Sequence, residues 1–398
     1  AGVSGMSDET RPYLDQLVAW RRHLHQHPEL SFEEHETAAY IAAELAGRLR
    51  HARFERLTPT SLVVVLDTGR PGPKIGLRAD IDGLAVQEDR PDLPFASVEP
   101  GRMHACGHDG HAATVMAACA WIDDHLDELT GEIHAIFQHA EETPPGGARE
   151  MVATGYFEGF DFIYGFHYFA TVPTGTIDVK DGPASANSDL FRITVTGRGG
   201  HASMPADTLD PVVAAAQLVG QLQTVVSRRV AAGVPTVVST TWLEAGTFVA
   251  RNVIPGSARL GGSVRTTDQE TRDLVQRSMR EFLAGLEAAN PGMTAELDYL
   301  VGYDRVWNDP ARTAIVRELA QARWGDAVIS LPPMLGGEDF AAFSQVAPAC
   351  YVFIGAGSEE KGFTSPHHSS TFGLDEDAFP IGLQLAIDVV RNGPRLRA

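Results

Sequence analysis

Residues 103–111 read M-H-A-C-G-H-D-G-H, a stretch that holds three histidines and one cysteine. A single glycine separates Cys106 from His108, so both side chains can turn toward one point, and a thiolate and an imidazole are good zinc ligands. The apolar run of small residues that follows predicts that this cluster lies in a loop before a helix. A buried thiol with packing histidines is the alternative, but four such residues together favour a metal site.

The composition is typical of a globular protein with two domains. Of its 398 residues, 43% are hydrophobic and 21% are charged. The net charge of −20 would repel nucleic-acid phosphates and anionic membranes, so neither is expected as a partner. Three cysteines, an odd number, argue against a disulfide framework and for a reducing compartment. Because residues 1–10 also lack the features of a leader peptide, a cytoplasmic location is expected.

Apolar spacing and turn residues predict the first elements of the chain. Helical periodicity predicts a first helix over residues 13–25. Ser31 and Glu34 have the S-x-x-E spacing of a capping box, so a second helix is predicted to begin at about Phe32. Short apolar runs predict strands over residues 62–66, 74–79, 132–139, 160–165 and 350–354.

Acids and histidines follow several of these predicted strands, which is where α/β sheets place their chemistry. They are Asp80 and Asp82, Glu141 and Glu142, and His167. In a pair of adjacent glutamates, one can bind a metal while the other acts as general base toward a metal-bound water. The alternatives are a solvated acidic turn for the glutamates and strand-end turns for the aspartates.

The pattern changes from residue 187 onward. Strands and helices are predicted in the order βαββαβ, the ferredoxin-like split motif, and this order indicates an inserted domain over residues 187–302. Asp309 and Pro310 supply an N-cap and a first-turn proline for a helix that returns the chain to the first domain. The first domain is therefore expected to comprise residues 7–186 and 303–398.

Seven motifs occur in one order along the chain: HACGHDGH, QHAEE, GFH, GRGGHASMP, NVIP, GGEDF and HHSSTF. In this order they resemble the two-metal amidohydrolases and aminoacylases, a metallopeptidase family with hippurate hydrolase, bacterial N-acyl-amino-acid deacylases and plant auxin-conjugate hydrolases. The resemblance implies an α/β fold with a mixed-sheet catalytic domain and an inserted ferredoxin-like lid that also dimerises. It implies two divalent metal ions per subunit, with zinc, manganese, cobalt and nickel as the candidates.

The matched motifs also imply residue roles. Glu141 resembles the general base, and the implied metal ligands are Cys106, as the bridge, with His108, Glu142, His167 and His368. His367 is the alternative to His368, because H-H-S-S-T-F stands where the family usually has His-Ser-Pro or His-Asn-Pro; the distance to Phe372 favours His368. Asp80 and Asp82 are expected to hold imidazoles or loop amides in place and not to bind the metal themselves. His104 and His111 are expected to orient neighbouring groups or to pack in the loop.

In the inserted domain, three residues resemble family residues that hold the substrate. His201 would receive the carbonyl oxygen, and Asn252 and Arg265 the polar ends, including the terminal carboxylate. Chemistry alone favours a turn histidine, a turn amide and a surface cation, and the resemblance reverses this preference. The family's lid histidine reaches the metals of the neighbouring subunit, so a homodimer with His201 acting in trans is expected.

These expectations combine into one predicted activity, the hydrolysis of the amide bond in N-acyl amino acids or related small conjugates. A dipeptidase or carboxypeptidase with the same centre is the first alternative. A metal-binding homologue without turnover is a second, disfavoured because Glu141 is present. A cysteine hydrolase using Cys106 with His108 is a third, disfavoured because their one-residue spacing beside further acids is typical of coordination.

Overall fold

The computed structural model describes residues 6–397, in which helices and strands alternate. Residues 1–5, half of the stretch considered for a leader, lie outside the described part. The helices are α1 (Arg11–Gln26), α2 (His35–Arg48), α3 (His108–Asp124), α4 (Gly147–Val152), α5 (Pro211–Thr224), α6 (Gln269–Ala289), α7 (Pro310–Trp324), α8 (Ala341–Val346), α9 (Phe379–Arg391) and α10 (Gly393–Leu396). Among the described residues, none of the helices has the length and apolar character needed to span a bilayer.

The strands belong to one large sheet, one four-stranded sheet and two short ribbons. They are β1 (Ala52–Glu55), β2 (Leu62–Asp67), β3 (Lys74–Asp80), β4 (Glu132–Gln138), β5 (Phe162–Pro173), β6 (Ile177–Asp178), β7 (Gly182–Pro183), β8 (Asn187–Thr196), β9 (Gly200–His201), β10 (Val237–Ala245), β11 (Val253–Ile254), β12 (Ser257–Thr266), β13 (Thr294–Tyr303), β14 (Trp307–Asn308), β15 (Val328–Ile329) and β16 (Ala349–Gly357).

The chain divides into two compact units. The first comprises the residues up to Ala184, then Val306–Pro332, then those from Asp339 onward. Its eight-stranded sheet has the order β1-β2-β4-β3-β5-β16-β6-β15. The central strands β4, β3, β5 and β16 are parallel, and β2 and β6 join them antiparallel, so the predicted mixed sheet is confirmed.

Helix α3 is the buried centre of the first unit. Its residues from His108 to Asp123 are all buried, and it packs against α1, α9 and strand β3. Its 17 residues include five alanines, one glycine and one threonine, and such small side chains let neighbouring elements approach closely. The helix that begins inside the Cys-His cluster is thus held rigidly, as a binding site requires.

The second unit comprises Ser185–Arg305 and Pro333–Glu338. Its antiparallel sheet has the order β10-β12-β8-β13, and helices α5 and α6 cover one face. With the chain order β8, α5, β10, β12, α6, β13, this is the ferredoxin-like arrangement expected from the sequence. The segment 333–338, expected with the first domain, joins the second unit because Ala186 N–H donates to Gly336 O at 3.3 Å.

The capping box predicted at Ser31 and Glu34 is wrong. Helix α2 begins at His35, and neither side chain caps it. The carboxylate of Glu29 accepts the backbone N–H groups of Glu36 and Thr37 instead, so the first-turn donors are satisfied from further upstream. By contrast, the predicted cap of α7 is confirmed, because the Asp309 carboxylate accepts the N–H of Arg312.

Candidate metal centre

The Cys-His loop ends at the N-terminus of α3. Gly107 has φ +88°, a left-handed conformation that a glycine adopts without strain, and it turns the chain between Cys106 and His108. Cys106 Sγ lies 3.6 Å from His167 Nε2. Donor atoms of Cys106, His108 and His167 all lie within 4.8 Å of one another.

In their neutral forms, His108 and His167 both present an unprotonated Nε2 to this point. His108 Nδ1 donates to Asp82 Oδ1 at 2.9 Å, and His167 Nδ1 donates to the carbonyl oxygen of Tyr168 at 2.8 Å. These bonds place the ring proton on Nδ1 in the neutral imidazoles. His108 Nε2 is buried and has no hydrogen-bond partner among the described residues. A metal ion would satisfy this atom.

The adjacent glutamates lie just beyond β4, after Ala140, whose φ is +50°. Glu142 Oε1 lies 3.1 Å from His368 Nε2 and 3.7 Å from His108 Nε2. Glu141 is buried and belongs, with His108 and Glu142, to a second group of clustered donor atoms. Cys106, Glu142 and His368 form a third. The structure therefore brings all five implied ligands and Glu141 into one cluster.

His367 and His368 have different surroundings. The neutral His367 ring accepts the N–H of Ala170 at Nε2, at 3.1 Å, so its proton is on Nδ1, which lies 3.5 Å from Cys106 Sγ. Burial, followed by the charges of His111 and His368, lowers the pKa of His367 to about 3. His367 is therefore arranged as a hydrogen-bond donor to the sulfur, whereas His368 lies against the carboxylate of Glu142.

Asp80 and Asp82 lie behind the cluster. Asp80 Oδ1 accepts His111 Nδ1–H at 2.6 Å, and its Oδ2 lies 3.3 Å from Arg78 NH1 and from His108 Nε2. Burial alone would raise the pKa of Asp80, but the charges of His108, Arg78 and His111 hold it well below its usual range. The carboxylate of Asp80 thus contacts His111, Arg78 and His108. The supporting role implied by the resemblance stays a prediction.

Local electrostatics favour a cation in this cluster. Burial opposes protonation of His108, but Asp80 and Asp82 outweigh it and raise its pKa to about 10. Burial, then the charges of Glu142 and Glu141, raises the pKa of the Cys106 thiol well above its usual value. A thiolate here therefore requires nearby positive charge. The donors, one thiol with imidazoles and carboxylates, suit zinc and similar divalent ions.

His201, Asn252 and Arg265 all belong to the second unit. His201 lies in β9, which pairs with β11 beside Asn252, and both residues are exposed. His201 Nδ1 accepts the backbone N–H of Ser203 at 3.1 Å, which leaves the proton of the neutral ring on Nε2.

Arg265 is half-buried on strand β12. Its Nε donates to Ser263 Oγ at 3.1 Å, and no carboxylate in the described part of the chain forms an ion pair with it. Burial, partly offset by Asp189, lowers the pKa of Arg265. An unpaired guanidinium of this kind can bind a carboxylate from another molecule.

Two contributions to the centre had no assigned role in the sequence analysis. Asp339, from the GGEDF motif, accepts Arg78 NH2–H at 2.9 Å, and Gln138 and Ala148 donate to its other oxygen. The GGEDF motif indicated that this region is functional, but the spacing of its residues did not identify Arg78 as the partner of Asp339. Asp109, in the first turn of α3, accepts from Arg21 and His25, both at 2.8 Å.

Comparison with known proteins finds relatives that match most of this chain. An N-acyl-L-amino acid amidohydrolase of Geobacillus stearothermophilus is 42% identical over 76% of this chain and 81% of its own length. Thermostable carboxypeptidase 1 of Saccharolobus solfataricus is 34% identical over 96% of each chain. A Bacillus subtilis structure described as a dinuclear metal binding peptidase is 34% identical with a TM-score of 0.84, covering 97% of this chain and 98% of that chain. The family pattern of Peptidase family M20/M25/M40 matches residues 76–392. The chain therefore belongs to peptidase family M20/M25/M40.

Proposed function

We propose that this protein hydrolyses the amide bond of N-acyl amino acids or related small conjugates, releasing a carboxylate and a free amino acid. The observation that carries the proposal is the cluster of Cys106, His108, Glu142, His167 and His368 with a further buried glutamate, Glu141. The similarity to an N-acyl-L-amino acid amidohydrolase supports the substrate class.

The five clustered side chains would hold two divalent ions, with Cys106 contributing to both. When bound, the ions polarise the scissile carbonyl and lower the pKa of water to about 7. Glu141 takes the proton of the attacking water and passes it to the leaving amine. Asp80 and Asp82 keep the imidazoles oriented through the hydrogen bonds described above. Reconstitution with zinc, manganese, cobalt and nickel in turn identifies the metal that supports activity.

The second unit is proposed to act as a lid that holds the substrate. The Nε2–H of His201 is suited to stabilising the oxyanion that develops on the scissile carbonyl. The guanidinium of Arg265 would bind the terminal carboxylate, and Asn252 the substrate's other polar end. We propose a homodimer formed through this unit, and a cytoplasmic location in which Cys106, Cys119 and Cys350 stay reduced; all three are free thiols here.

A dipeptidase or carboxypeptidase is the second candidate, and the similarity to a carboxypeptidase favours keeping it. An acyl group and an aminoacyl group differ only outside the reacting amide, so the metal centre alone would serve both. Substrates with a free α-amine therefore belong in the same screen as acylated ones.

The test is a turnover screen on metal-reconstituted protein with acylated and free-amine substrates. We expect turnover of N-acyl amino acids and its loss on chelation. Glu141→Gln should keep its metal and fold while kcat falls at least about 10²-fold, the scale of general-base catalysis. Glu150→Gln, which removes an acid from α4, serves as the matched control. Full activity in Glu141→Gln would reject the base assignment, and turnover of free-amine substrates alone would favour the peptidase.

A further inference from the structure

The segment between α1 and α2 directs two polar side chains away from the helix that follows it. Ser31 and Glu34 do not cap α2. Phe32, between them, has φ +68°, a left-handed conformation that is uncommon for a bulky side chain. A local strain of this kind persists where other contacts hold the chain in place.

Ser31 contacts the support of the metal centre. Its Oγ donates to Asp82 Oδ2 at 2.8 Å, and the same oxygen accepts the N–H of Glu142 at 3.0 Å. The other oxygen of Asp82 accepts His108 Nδ1–H. Through this one carboxylate, Ser31 is linked to an imidazole and to the backbone of a glutamate in the donor cluster.

Glu34 contacts the turn that carries the general base. Its side chain is fully buried, and Oε2 accepts the N–H of Ala140 at 2.9 Å. Ala140 has a positive φ and precedes Glu141 directly. Without an acceptor, this buried N–H would be left unpaired, and the turn would relax toward a conformation that reorients Glu141.

We propose that Ser31 and Glu34 are positioning residues of the active site, which hold the Asp82 carboxylate and the Ala140–Glu141 turn in the geometry required for hydrolysis. This inference rests on the proposed function for its kinetic part. Neither side chain reaches the predicted reacting atoms in the contacts observed, so each acts through another residue.

The charge state of Glu34 decides how it can be tested. Burial, followed by the negative charge of Asp82, raises the pKa of Glu34 to about 9, so the carboxyl group is largely neutral at pH 7. A glutamine has the same shape and keeps the carbonyl acceptor for Ala140. A leucine fills similar space without any acceptor. The two substitutions therefore separate hydrogen bonding from volume.

Glu34→Gln should retain kcat within about threefold. Glu34→Leu should lower kcat by about tenfold to a hundredfold, because it displaces the general base. KM should change little, because the residues that bind the substrate are not affected. The substrate is the N-acetyl amino acid that the wild type hydrolyses fastest. Glu33→Leu, at the exposed neighbouring position, is the matched control. Glu34→Met repeats the test with an unbranched side chain in case the leucine variant does not fold.

Ser31→Ala gives a measurement that needs no substrate. Loss of a side chain that hydrogen-bonds a metal ligand typically weakens metal binding about 10- to 100-fold. Ser31 acts one contact further out, through Asp82, so we expect zinc affinity to fall about threefold to tenfold in a competition assay with a chelator. Ser227→Ala, exposed in the second unit, should bind zinc as the wild type does.

Wild-type kcat in folded Glu34→Leu or Glu34→Met, equal losses in Glu34→Gln and Glu34→Leu, or unchanged zinc affinity in Ser31→Ala would overturn the inference. If the wild type hydrolysed no N-acyl amino acid, the proposed function would fail, but the zinc measurement would still decide the role of Ser31.

Discussion

Cys106 is the residue on which the donor groups converge. It shares one group with His108 and His167 and another with Glu142 and His368. Its burial and the nearby glutamates raise its pKa, so a thiolate at this position depends on bound cations. A sulfur ligand that contacts both halves of a donor cluster is well placed to bridge two ions.

Loss of a side chain that supports a metal ligand weakens metal binding about 10- to 100-fold. We therefore predict a larger loss of metal affinity in Cys106→Ser, which removes a ligand itself. Peroxide, which converts a thiolate to sulfenic or higher acids, should lower both metal content and activity. Cys119→Ala, within α3, is the control that should leave metal content unchanged. Elemental analysis that finds wild-type stoichiometry and affinity in Cys106→Ser would exclude the ligand role.

Short-range spacing was enough to predict part of the site. Cys106 and His108 are separated by one residue, so their convergence is a local property of the chain. The direction of each ring proton was not predictable where it depends on partners distant in sequence: Asp82 for His108, and Ala170 for His367. The resemblance favoured His368 over His367 as ligand, and that assignment stays a prediction.

At the scale of elements, periodicity predicted most strands and helices within a few residues. The order βαββαβ was readable because each element has its own apolar pattern. The predicted strand over residues 160–165 is longer, so His167 lies within β5 instead of beyond its end. The capping box failed because Glu29 caps α2, while Ser31 and Glu34 bind Asp82 and Ala140, contacts that depend on tertiary structure.

A buried charge network joins α1 to the start of α3. His25 on α1 lies 2.8 Å from Asp109 through Nδ1 and 2.8 Å from Glu88 through Nε2. Two carboxylates can both accept only if each ring nitrogen carries a proton. Burial opposes this charge, but Asp109 and Glu88 outweigh it and raise the pKa of His25, with Arg21 acting against them. The imidazolium thereby fixes the helix start next to His108.

We predict that His25→Gln destabilises the protein by about 3 kcal/mol at pH 6, because the carboxylates of a buried charge pair lose their partner. A histidine whose pKa is raised on folding contributes stability that is fully present below its unfolded pKa of about 6.5. That contribution is lost as pH rises through the folded-state pKa. The difference in melting temperature between wild type and His25→Gln should therefore shrink as the pH rises from 6 through the folded-state pKa of His25. A constant difference, or one matched by the exposed His35→Gln control, would contradict this account.

At the scale of the whole molecule, the second unit offers exposed apolar edges. Strand β10 exposes Trp242 and Leu243, and strand β13 exposes Leu300 and Val301. These strands form the two edges of the four-stranded sheet. Sheet edges are usually paired or covered, so the proposed homodimer would bury surface of this kind. Replacing Trp242 or Leu300 with a small polar or charged residue would identify which of the two edges forms the dimer interface.

We predict that His201 serves the active site of the partner subunit. His201 lies on a short exposed ribbon of the second unit, and its Nδ1 accepts the N–H of Ser203. This hydrogen bond within the ribbon orients the ring and its Nε2–H. Inactive His201→Ala and inactive Glu141→Gln subunits should therefore complement each other. Half of the dimers in an equal mixture are heterodimers, and each has one intact site, so about a quarter of wild-type activity should return. Co-purification of differently tagged subunits without any recovery of activity would show that His201 does not act in trans.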